Sequence, residues 1–140
     1  MRNGDTGELR LAQLVSNGAL SPSIYEDSIK NFVTLAKEHH FEPLIVMMPA
    51  AYTVYARSIV FEDPSVAPIM RRYSDLQREW LAQNVERLGA KYFDATTYMQ
   101  KAAETRLLYF PSNVHLTPDG HRALAEAVAP QLKRLLPEPK

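Results

Sequence analysis

The stretch IYEDSIKNFVTLAKEHHFEPLIVMMP, residues 24–49, decides the fold class. Ile29, Phe32, Val33 and Ala36 recur at i, i+3, i+4 and i+7, which aligns them on one face of a helix, and Ser23 is a residue type that caps such a helix. The run PLIVMM that follows is short, unbroken and rich in branched residues, and Pro49 closes it. That is the pattern of a strand buried on both faces of a parallel sheet. A helix leading into a buried strand predicts an α/β fold.

Working outward, AAYTVYARS reads as a loop, and Asp63-Pro64 is an N-cap and first-turn pair for a long amphipathic helix through Leu88. Val66, Ile69, Met70, Tyr73, Leu76, Trp80 and Leu88 form its apolar stripe. Pro68 is expected to kink or delay its first turn, and Gly89 to close it. KYFDA reads as a second strand ending in Asp94, followed by a weaker helix, TTYMQKAAET, capped by Asp94 or Thr96. Thr117 caps the last helix with Pro118 in its first position. Leu124, Ala127, Val128, Leu132 and Leu135 are its expected buried stripe, and Pro130 is expected to bend it. Residues 1–22 hold Gly4, Gly7 and Gly18 around Leu9, Leu11, Leu14 and Val15, and read as a loose lead-in of at most a turn or two of helix. Residues 23–136 form one domain, and 137–140 a solvated tail. Two parallel strands with right-handed crossovers leave both sheet edges open, so more strands are expected beside them.

Composition narrows the function classes. The 46% of hydrophobic residues in 140 suffices for one core, while 16 basic residues against 16 acidic ones give no field favouring nucleic acid. The longest apolar run, Leu44 to Tyr52, is far short of the roughly 20 residues of a membrane span and contains Pro49. Without cysteine there are no disulfides or Cys-based zinc sites. MRNGDTGELR is polar where a signal peptide carries its apolar region, and the compartment stays open. No Gly-rich phosphate loop appears and no cofactor is expected. His39-His40, at a helix end, suits the helix dipole better than a metal, and no metal site is expected.

The stretch NVHLTPDGHRALAEA, residues 113–127, concentrates the chemistry. His115 stands just before a capped helix, and in open parallel sheets the loops past the strands' carboxyl ends hold the reactive groups. LYFPSNVHLTPDGHRALAEAVAPQL, residues 108–132, resembles the last block of SGNH (GDSL-type) hydrolases and their acyltransferase relatives. There an Asp-x-His or Asp-x-x-His precedes a Thr-Pro-x-Gly-His helix start. LIVMMPAAYTVYARS and KYFDAT extend the likeness, toward the alginate O-acetyltransferase-like branch, so that it covers about residues 25–136.

The resemblance implies a partial three-layer α/β/α, flavodoxin-like fold with the family's N-terminal strands absent. It also implies acyl-ester chemistry on an acyl ester or acetylated saccharide. His115 matches the general base, which accepts a serine proton and is worth about 10²–10⁴ in rate. Asn113 occupies the acid position, with Ser112 at the other permitted spacing. Asn brings no charge to an imidazolium, and in Ser-His-Asp triads Asp to Asn costs about 10⁴-fold in turnover. Asp94 and Asp119 are the candidate substitutes. Gly120 and His121 match the family's Gly-His and carry no chemistry. The strand ending in Gly-Asp-Ser has no counterpart; Gly4-Asp5-Thr6 lacks a preceding strand. Tyr52 and Tyr55, past a strand end, are candidate substrate-lining residues, and Arg71-Arg72 reads as a solvated helix face. The alternative reading is a non-catalytic saccharide- or protein-binding module of the same fold. An apolar sheet edge is expected to drive self-association.

Overall fold

The computed structural model describes residues 8–111 and 114–136. It is mixed α/β and mostly helical, in the order α1 Leu9–Ser16, α2 Glu26–Glu38, β1 Leu44–Met47, α3 Ala51–Val54, α4 Val66–Asn84, β2 Lys91–Asp94, α5 Thr96–Ala102 and α6 Pro118–Leu135. The two strands pair in parallel, with Leu44 opposite Lys91 and Met47 opposite Asp94.

Side-chain alternation along the strands sends each face to a different core. Val46 and Phe93 pack with Ala95, Met99, Leu108 and Ala123, from α5, α6 and the segment between them. Ile45, Met47 and Tyr92 pack with Ile29 and Val33 of α2 and Leu81 of α4. Even so, all four β1 residues are only half-buried, where the apolar run predicted full burial. Two four-residue strands leave one edge of each without a strand partner among the described residues.

Local signals placed most elements, with instructive shifts. Ser21, rather than Ser23, is the cap: its hydroxyl accepts from the Ser23 N–H and starts a 3-10 turn, Pro22–Tyr25, that feeds α2. His40 ends α2 in the left-handed region (φ 55°), with the Phe41 N–H donating 3.1 Å back to the Ala36 carbonyl. α4 ends at Asn84, four residues short of the predicted Leu88, and Gly89 takes φ 102° at the close of the turn that follows. Pro68 falls in the first turn of α4, where its missing N–H has no intrahelical partner to lose.

Residues 9–16 correct the loose lead-in. Ala12 is fully buried and Val15 nearly so, in a third core with Tyr52, Met70 and Tyr73. Two bonds lock α1 to α4: Ser16 Oγ donates to the Ile69 carbonyl (3.0 Å), and Arg72 Nε donates to the Ser16 carbonyl (2.9 Å). The sequence hid this because eight residues with two buried positions carry little periodic signal. The far end of α6 deviates in the opposite sense. Leu132 of its expected buried stripe is 47% exposed and Leu135 only half-buried, so the buried part of the stripe ends near Ala127. The helix runs on through Pro130. Gly4-Asp5-Thr6 and the tail 137–140 lie outside the described residues.

Candidate functional site

The chain from α5 to α6 folds back on itself. Tyr109 and Leu116 form an antiparallel bridge, the Thr117 N–H donates to the Leu108 carbonyl (2.9 Å), and the Phe110 N–H donates to the His115 carbonyl (3.1 Å). Thr117 then caps α6, its hydroxyl accepting from the Gly120 N–H (3.0 Å) while donating to the Leu107 carbonyl. Gly120 is required by packing: a Cβ built there would lie 2.0 Å from the Leu108 carbonyl oxygen.

Two tyrosines tie this hairpin to the carboxyl end of the sheet. Tyr109 donates its buried hydroxyl to the carbonyl of Pro49, two residues past β1. The Tyr55 hydroxyl accepts from the Leu108 N–H (2.8 Å), and the two rings meet edge-on at 6.4 Å. Burial, and then the neighbouring Tyr55, push the Tyr109 hydroxyl up to about 12, so it remains a donor at ordinary pH. Tyr109→Phe leaves the Pro49 carbonyl unpaired in the core and is expected to cost about 1–3 kcal/mol, read as a lower urea midpoint at unchanged slope.

His115 is exposed on the outer turn of this hairpin. Asn113 and Ser112 lie outside the described residues. Both candidate replacement acids have partners. Asp119 pairs with Arg122 one turn on (3.2 Å). Asp94 accepts from Arg78 Nε (2.7 Å) and from the Thr96 N–H (2.8 Å), capping α5 as its sequence position predicted. Burial alone would raise the Asp94 carboxyl, but the bonds from Thr96 and Arg78 outweigh it and hold it below its ordinary 3.8. A depressed folded-state value stabilises the fold above the unfolded value, and that stability disappears as pH falls through the folded one. Asp94→Ala, which removes cap and ion pair together, is expected to cost about 2–3 kcal/mol at pH 7. The difference from wild type should shrink below about pH 4, as thermal melts at several pH values would record.

Tyr52 is buried, with its ring in the α1–α4 core and its hydroxyl donating to Glu8 (2.7 Å). Burial first, and then Glu8, raise that hydroxyl well above the usual tyrosine range. Tyr55 is half-buried, with its hydroxyl on Leu108. Each lines a cleft beside α5. The first, about 560 Å³, takes in Tyr55, Arg57, Gln100 and Lys101; the second, about 500 Å³, Tyr52, Arg57, Arg71, Ser74, Arg78 and Gln100. His115 lines neither. The arginines were missed as site residues. Their signal was the spacing of Arg71, Ser74, Asp75 and Arg78 at i, i+3, i+4 and i+7, a polar stripe on α4 facing away from its apolar one. Among the described residues no group of three or more His, Cys, Asp or Glu could hold a metal ion. No helix is long and apolar enough to cross a membrane.

Compared with protein-family models, with curated proteins and with solved structures, the chain shows no significant match to any of them.

Proposed function

We propose that this chain is the C-terminal portion of an SGNH-type ester hydrolase or carbohydrate O-acyltransferase. His115 acts as its general base, and the serine nucleophile is supplied by polypeptide outside these 140 residues. The substrate is an acyl ester or an acetylated saccharide. In this reading β1 and β2 belong to a three-layer α/β/α domain, and further strands add to their open edges; without them those edges favour self-association.

One observation carries the reading. His115 stands just before α6, whose start Thr117 and Gly120 build, on a hairpin tied by Tyr109 to Pro49, two residues past β1. That is where reactive groups of open parallel sheets gather. Asn113, which brings no charge to an imidazolium, favours the second reading, a non-catalytic saccharide- or protein-binding module on the same scaffold.

Hydrolysis of a chromogenic acetate ester separates the two. It is measured for the chain, alone and extended by any coding sequence that precedes it, against His115→Ala. Loss of rate in the variant supports the general base. Equal rates in every pair end that assignment and leave the binding module.

A further inference from the structure

The cleft between α3, α4 and α5 is lined by several hydrogen-bond donors and one carboxylate, Asp75. Arg57 makes no hydrogen bond or ion pair among the described residues. The Arg71 guanidinium makes one long bond, 3.4 Å to the carbonyl of Ala56, beside Arg57. Thr53 Oγ1 donates to Ser74 Oγ (3.0 Å), which leaves the Ser74 proton to donate. Gln100 spends one amide N–H on the Thr53 carbonyl (3.0 Å) and keeps the other. Arg78, the third arginine of the lining, is matched by Asp94, so the cleft's unmatched charges are Arg57 and Arg71 against Asp75.

In a chain whose charges balance overall, two guanidinium groups against one carboxylate leave this cleft a net positive charge that an anion would offset. The walls are prepared for one. Thr53 and Ser74 are buried, and the lining includes Tyr52 and Thr53, which follow β1, and Arg78, which bonds Asp94 at the end of β2. Its volume, about 500 Å³, lies within the range for small-molecule sites.

We infer that this cleft binds a small oxyanion-bearing ligand, a carboxylate or a phosphate, held by Arg57 and Arg71 with Ser74 and Gln100 as neutral donors. The planar guanidinium fork matches both anions in a bidentate manner. The inference does not depend on the ester reading, since His115 is absent from the lining.

Side-chain Nε–Hε signals of Arg57 and Arg71 followed by NMR test it, with inorganic phosphate in one arm and malonate in the other. Saturating shifts in at least one arm are expected, and the arm that saturates assigns the anion class. The double variant Arg57→Gln/Arg71→Gln, read on backbone amides of α3 and α4, should weaken binding about tenfold or more. Asp75→Asn, which removes the opposing charge, should tighten it, and added NaCl should weaken it. Both arginines are exposed, so the variants should melt as wild type does. Shifts that fail to saturate in both arms, or wild-type affinity in the double variant, would overturn the inference.

Discussion

Replacing Gly120 with alanine is expected to destabilise the protein by about 3 kcal/mol or more, lowering the melting midpoint by about 10 °C. Helix propensity argues the other way, because alanine inside a helix is better than glycine by about 1 kcal/mol. Tertiary contact decides the sign. The added Cβ would meet the Leu108 carbonyl oxygen at 2.0 Å and Leu116 Cδ2 at 2.9 Å, and the nearer atom is backbone, which no rotamer change can move. Relief requires α6 to slide off the 108–117 hairpin. That breaks the Thr117 bond to Leu108 and strains the Tyr109 tie to Pro49. A variant as stable as wild type would show that the close approach of α6 to Leu108 is wrong.

The second large effect is on rate. If His115 removes the proton from a serine as it attacks an ester carbonyl, His115→Ala should lower ester hydrolysis by about 10²-fold. The low end of the general-base range is expected because Asn113 does not stabilise the imidazolium. The side chain is exposed, and alanine retains the backbone carbonyl that accepts from the Phe110 N–H. Stability should therefore stay within about 0.5 kcal/mol of wild type, which separates chemistry from folding. Imidazole added to the variant should restore part of the lost rate, a rescue that a purely structural histidine would not show. Asn113→Asp should raise the rate of the parent chain. Its failure to do so, together with no rescue, favours the binding-module reading.

Much of the framework was legible locally. Thr117 with Pro118 and Asp94 act through bonds within a few residues and stand where their types require, and the PLIVMM run is a strand as its composition predicted. Legibility failed where distant segments meet. Nothing near Ala12 announces that α4 will bury it, and nothing near Tyr52 announces that its hydroxyl bonds Glu8, 44 positions away. Of the proposed site residues, His115 could be singled out because a motif surrounds it. Arg57 and Arg71 could not, since only folding brings a loop and a helix to one cleft.

By itself the sequence determined the order of the long helices and the two strands, though not every boundary, because caps and apolar spacing are properties of neighbouring residues. Only the tertiary structure decided which surfaces are buried, that the His115 hairpin is fastened beside the end of β1, and that unpaired arginines share a wall. Those outcomes depend on contacts between residues far apart in the chain, whose energies no local pattern encodes.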